Sequence, residues 1–65
     1  MVLIINGERR ETAVTRIAAL LTELEFTDAR VAIAVNRSVV PRARWTEVEL
    51  NEGDAIEIIS PRPGG

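Results

Sequence analysis

The chain has no cysteine and no histidine among its 65 residues, which removes disulfides, thiolate chemistry, imidazole acid–base work and the usual zinc ligand sets. It must fold by packing alone. Lysine is missing too: all eight basic residues are arginines, so apart from the N-terminal amine the chain has no amine that could act as an acyl acceptor or form a Schiff base. Long apolar runs are also missing. Runs such as 17–21 and 31–35, of five residues each, fall far short of the roughly 20 residues that span a bilayer. The opening Met1-Val2-Leu3-Ile4-Ile5 turns polar at Asn6 and carries no basic region, unlike a secretory leader, which points to the cytoplasm. Ten acidic residues outnumber the basic ones for a net charge of −2. No strong positive field is left for a nucleic-acid backbone.

What remains is one small domain, of a size that buries only about 60% of its unfolded surface, so no deep, walled active site is expected. Only carboxylates, arginines and hydroxyls are left for chemistry, and no paired arrangement of them stands out. An enzyme in its own right is therefore the weakest reading.

The pattern of elements is legible. Val2 to Ile5 is apolar and β-branched, and Asn6-Gly7 suits the positive φ angles of a two-residue hairpin turn. The second arm, Glu8 to Ala13, is polar, as suits an edge strand. Ile17, Leu20, Leu21 and Leu24 recur at three- and four-residue spacing, predicting an amphipathic helix over Arg16 to Glu25 with Thr15 as its N-cap. Val31 to Val35 reads as a strand with Ile33 and Val35 facing the helix. Asn36-Arg37-Ser38 reads as a turn and Val39-Val40 as a brief extended piece; Pro41 to Trp45 is expected to be an irregular crossover holding no regular element. Thr46 to Leu50 is a candidate short strand, Asn51-Glu52-Gly53-Asp54 a turn, and Ala55 to Ser60 a last strand rich in isoleucine. Together these give an α+β domain over residues 1–60, a mixed sheet of four to five strands with one helix across one face. Alternation turns Leu3, Ile5, Ile56 and Ile58 inward and Val2, Ile4 and Ile59 outward.

The last five residues, Pro61-Arg62-Pro63-Gly64-Gly65, lack apolar periodicity and read as a projecting tail with a reach of about 17 Å. A terminal carboxylate is ionised at neutral pH and can attack the α-phosphorus of ATP to become an acyl adenylate. Two glycines, having no Cβ, can thread a narrow partner site. The same dipeptide is also what a frayed terminus would show.

A hairpin start, one helix, a Gly-Asp turn before an apolar last strand and the terminal Gly-Gly resemble the ThiS family of sulfur carriers, which have a ubiquitin-like β-grasp fold. The most specific internal stretch is Val35-Asn36-Arg37-Ser38-Val39-Val40-Pro41-Arg42-Ala43-Arg44-Trp45, similar to that family's Asn, Val-Pro-Arg and Trp pattern. The resemblance implies that the chain is a carrier and not a catalyst. A ThiF-like adenylating enzyme would activate Gly65 with ATP, a persulfide-bearing sulfurtransferase would leave a thiocarboxylate there, and a ThiG-like thiazole synthase would take the sulfur for thiamine. Arg62-Pro63 departs from the small or apolar residues more usual before the glycines.

Beside Gly64 and Gly65, the candidate partner contacts are Ile59, Arg62, Ile4 and Arg42, with Ile59 foremost because it lies closest to the reactive end. Trp45 is read as a cover for the core edge, and Arg42 and Arg44 also fit an ordinary solvated surface. The competing functions are a carrier for molybdopterin synthesis, a ubiquitin-type protein modifier and a passive interaction module. Lacking lysine, a modifier of this sequence could not build isopeptide-linked chains on its own side chains.

Overall fold

The computed structural model describes residues 1–26 and 30–60. In chain order the elements are β1 (Val2–Ile5), β2 (Glu8–Glu11), α1 (Ile17–Glu23), β3 (Ala32–Val35), β4 (Ser38–Val40) and β5 (Ala55–Ile59). They form one five-stranded sheet in the order β2-β1-β5-β3-β4. The last strand therefore lies at the centre, parallel to β1 and antiparallel to β3.

Both hairpins close on two residues that take positive φ. Asn6 and Gly7, at 50° and 84°, join β1 to β2 with Ile5 opposite Glu8. Asn36 and Arg37, at 51° and 72°, join β3 to β4 with Val35 opposite Ser38. Angles of this sign match the right-handed twist of paired strands. Ser38 is thus a strand residue, and the extended piece expected at Val39-Val40 is a full edge strand. Arginine at the second turn position hid the hairpin, because that site usually carries glycine.

The helix is shorter than its periodicity suggests. Arg16, not Thr15, is the N-cap, and no side chain caps the end. The orphan amide of Ala18 instead donates to the Trp45 carbonyl at 3.1 Å, and the amide of Leu50 donates to the Thr15 carbonyl at 2.8 Å. Tertiary contacts do the work that a local cap would have done. At the other end the amides of Glu25 and Phe26 donate back to the carbonyls of Thr22 and Leu21 at 3.1 and 2.9 Å, the double bond of a Schellman motif. That motif puts Glu25 at φ 65°, a left-handed position where glycine is usual.

Two other expectations are corrected. The crossover contains a 3-10 turn at Arg42–Arg44, closed by the Arg44 amide on the Pro41 carbonyl at 2.8 Å. Thr46 to Leu50 forms no strand; one isolated bridge joins Glu49 to Arg16. The amides of Glu47 and Val48 both turn back to the Arg44 carbonyl at 3.0 Å, so they are not free to extend a ladder. The second strand ends at Glu11, short of Ala13, and Ser60 lies beyond β5.

The core lies between the helix and the inner face of the sheet. Leu3, Ile33, Ile56 and Ile58 meet Ile17, Leu20 and Leu21, with Val31, Trp45 and Leu50 closing the sides. Ile5 and Val35 pack partly buried against this cluster, on the face that alternation assigns them. Trp45 is buried and donates its indole N–H to the Val40 carbonyl at 3.0 Å, which ties the crossover to the edge strand. Thr12 is a buried polar residue. Its hydroxyl donates to Glu23 at 2.9 Å and accepts from the Val14 amide at 3.2 Å. Arg10, inward on β2, reaches Glu23 as well, at 3.1 Å.

Leu20 is fully buried, so Leu20→Ala is expected to cost about 3 kcal/mol. At about 0.05–0.15 kcal/mol per residue a domain of this size holds roughly 3–10 kcal/mol in all, so urea titration should find the unfolding midpoint lowered by about a third or more. Glu25→Gly should do the reverse, relieving a left-handed non-glycine residue for a gain of about 1 kcal/mol and a melting temperature some 5 °C higher by calorimetry.

Candidate functional site

The candidate reactive residues Gly64 and Gly65, and Arg62 beside them, lie outside the described residues, as does the rest of the expected tail at 61–65. What the structure describes is the root from which that segment leaves. The root is β5, and unusual care is taken to hold it. The backbone ladder from β1 ends where the Asn6 amide donates to the Ile56 carbonyl at 2.9 Å. Past that point the Asn6 side chain stands in for a strand. Its Oδ1 accepts the Ile58 amide at 2.9 Å and its Nδ2 donates to the Ile58 carbonyl at 3.3 Å.

Asn36 does the same at the other end of β5. Its Oδ1 accepts the Ala55 amide at 3.0 Å, its backbone amide donates to the Ala55 carbonyl at 2.7 Å, and its Nδ2 donates to Asp54 at 3.0 Å. Asp54 in turn accepts the Asn51 amide at 2.8 Å, closing the turn that leads into the strand. Each asparagine thus serves twice: it tolerates the positive φ of a hairpin turn, and it clamps the neighbouring central strand.

The outer face of the sheet is the other part of the site. On it lie Ile4, half-buried on β1, and Ala55, Glu57 and Ile59 on β5. Ala34 on β3 lies opposite Glu57, and Val39 on β4 lies opposite Ala34. Ile59 is 61% exposed and Val39 78%, so the face carries uncovered apolar side chains among the described residues. A shallow, open hollow of about 220 Å³ is lined by Ile4, Gly7, Arg37, Ala55, Ile56 and Glu57.

Of the expected partner contacts, Ile4 and Ile59 share this face, but they are not neighbours. Ile4 lies opposite Ala55, four residues before Ile59, a separation of about 13 Å along the strand. Arg42 is exposed in the 3-10 turn after β4. Register places it at the sheet end where Ile59 lies, two strands away. Sequence reasoning passed over Glu57, Arg37 and Val39. The alternation that turned Ile59 outward also turned Glu57 outward, so that residue was within reach of the same argument.

No ion pair joins Glu57, Arg37 or Arg42 to another side chain among the described residues; the pairs lie elsewhere, as in Arg16 with Glu49 at 3.2 Å and Arg44 with Glu47 at 3.4 Å. The N-terminal amine sits at the far end of β1. Its pKa is raised above the ordinary 8.0, first by its hydrogen bond to Glu11 at 2.9 Å and further by the charges of Glu11 and Glu52, against a lowering by desolvation. Among the described residues no cluster of three or more acidic side chains is placed to hold a metal, and no helix is long and apolar enough to cross a membrane.

A mixed sheet in this order beneath a single helix, with the last strand central and leading out to the tail root, defines a ubiquitin-like β-grasp domain. Comparison with known proteins narrows this. The model of the ThiS family matches residues 3–65, and the chain belongs to that family. A crystal structure of the thiamine biosynthesis protein ThiS from Geobacter metallireducens superposes with a TM-score of 0.84 at 26% identity, covering 100% of both chains. A solution structure of a thiamine biosynthesis protein from the same organism gives 0.81 at 26% identity, covering 100% of this chain and 88% of that one. The sulfur carrier protein ThiS of Escherichia coli is 35% identical over 46 residues, 71% of this chain and 70% of that protein. A thiazole synthase of Paramagnetospirillum magneticum is 39% identical over 66 residues, which is 100% of this chain; the chain spans a fifth, 20%, of that protein's length.

The asparagine clamp is directly testable. Asn6→Asp keeps a residue that tolerates the turn but sets a carboxylate against the Ile58 carbonyl in place of a donor. It should cost about 1–2 kcal/mol in urea titration and speed hydrogen exchange at the Ile58 amide ahead of the amides of β3.

Proposed function

We propose that the protein is a sulfur carrier for thiamine biosynthesis, working in the cytoplasm, whose reactive group is the Gly65 carboxylate at the end of a tail spanning 61–65. The observation that carries this reading is the family match running through Gly64 and Gly65, on a fold whose central strand leads directly into the segment that bears them. The body supplies recognition and the terminus supplies chemistry, so the protein acts as a co-substrate of its partners.

The carboxylate oxygen attacks the α-phosphorus of ATP on an adenylating enzyme, pyrophosphate leaves, and an acyl adenylate results. The terminal sulfur of a sulfurtransferase persulfide then attacks the acyl carbon and AMP leaves. A thiol cleaves the resulting acyl disulfide, which leaves the thiocarboxylate on Gly65 and a new disulfide on the donor. Nothing in these steps requires a side chain of the carrier. A chain without cysteine or histidine can therefore perform them as substrate, and ATP is consumed on the partner. The thiazole synthase relative, whose own chain includes a segment like this one, supports a thiazole synthase as the acceptor of the sulfur.

Incubation with ATP, an adenylating enzyme and a persulfide donor should replace one oxygen by sulfur at Gly65, read by intact mass and located by fragmentation. Oxidation of Met1 gives nearly the same mass, but the chain has no cysteine, so a thiol-alkylating reagent should label the thiocarboxylate alone. Deletion of Gly65 should abolish labelling with no loss of stability. A carboxylate that stays unmodified under these conditions would sink the proposal, and recovery of Gly65 in amide linkage would make the protein a modifier instead.

A further inference from the structure

We propose that Asn6 is a modification site of the folded chain, converted to aspartate or isoaspartate by its own neighbour Gly7 at a rate set by how often Ile58 releases the Asn6 side chain. The proposal is independent of the carrier reading above. In the first step the backbone nitrogen of Gly7 attacks Cγ of Asn6 and forms a new N–C bond. The Cγ–Nδ2 bond breaks, and the Gly7 amide proton leaves with Nδ2 as ammonia. Water then opens the cyclic imide. Entry at Cγ gives aspartate and entry at the backbone carbonyl carbon gives isoaspartate, so water is the sole co-reactant.

Sequence and exposure favour this reaction at one asparagine. Of Asn6, Asn36 and Asn51, only Asn6 precedes a glycine, and the backbone nitrogen of a residue without Cβ is the least hindered to attack. Asn6 and Gly7 are both exposed, and no atom lies within 4 Å of where a Gly7 Cβ would stand, so the turn is open to water.

The clamp on β5 opposes it. Oδ1 of Asn6 accepts the Ile58 amide at 2.9 Å, and Nδ2, the leaving group, donates to the Ile58 carbonyl at 3.3 Å. A side-chain amide held at both its polar atoms by one strand is not free to close a ring on its own turn. Ring closure therefore waits for the end of β5 to open, and local openings of this kind cost less than global unfolding. Conversion also removes its own brake. Aspartate has no donor for the Ile58 carbonyl, and isoaspartate adds a carbon to the main chain of a two-residue turn.

Asn36 is a control built into the same molecule. It holds the matching place in the second hairpin, at φ 51° against 50° for Asn6, and its side chain is likewise clamped, on Ala55 and Asp54. The residue after it is Arg37, whose side chain hinders the attacking nitrogen.

The test is to hold the full chain at mildly alkaline pH with and without denaturing urea, following both asparagines by peptide mapping and isoaspartate by enzymatic methylation. In urea Asn6 should convert while Asn36 stays intact. Without urea Asn6 should convert at least about tenfold more slowly, yet faster than Asn36. Across low urea concentrations this rate should rise in proportion to hydrogen exchange at the Ile58 amide, and the isolated product should exchange that amide faster than the unmodified chain. Arg37→Gly relieves a left-handed residue at φ 72° and so keeps the fold; it should make Asn36 convert in urea as well. Equal rates for Asn6 with and without urea would overturn the proposal, because the clamp would then gate nothing. So would a native rate that follows the amides of β3 instead of Ile58, or a native chain in which Asn6 converts no faster than Asn36.

Discussion

The whole structure depends on the pairing of the last strand between two earlier ones. β5 enters as the central strand, parallel to β1 from the far end of the chain and antiparallel to β3. Its inward residues Ile56 and Ile58 sit in the middle of the core. Without it the sheet would be two separate hairpins, and isolated hairpins are marginal in water. The side chains of Asn6 and Asn36 extend this pairing past the ends of the backbone ladders, so the strand is held at the residue that enters the sheet and at the residue before it leaves.

This places structural constraint and functional freedom on opposite faces of one strand. Inward, each β5 side chain is fixed by packing and cannot vary without loss of stability. Outward, Ala55, Glu57 and Ile59 face no other element among the described residues, so their identity is open to selection by whatever the sheet meets. A domain of 65 residues has little room to wall off a cavity, and displaying a surface asks much less of it than building an active site.

The sequence made the elements legible where periodicity is strong. The four apolar positions of the helix, the Asn6-Gly7 turn and the isoleucine-rich last strand each carry a local signal that agrees with the fold. Its errors cluster where tertiary contacts replace local ones. Thr15 looked like a cap, but the helix start is satisfied by the Trp45 carbonyl, thirty residues on. Glu25 and Arg37 take left-handed angles that no residue preference would assign them. Thr46 to Leu50 had strand-forming composition, yet the amides of Glu47 and Val48 were already committed to the preceding turn and that of Leu50 to the Thr15 carbonyl. At the site, alternation found Ile4 and Ile59 but not their separation, because register between distant strands is invisible until the central strand is placed.

A central strand that comes last in the chain also has a kinetic meaning. The contacts joining β1 to β5 span some fifty residues, near the maximum this chain allows, and such long-range pairings are the slowest to form. Until β5 is synthesised and inserted, β1 and β3 present open edges and the helix has little to rest on. The outer face that β5 completes is therefore present only on molecules whose sheet has closed. Anything that reads that face is at the same time reading whether the chain has finished folding.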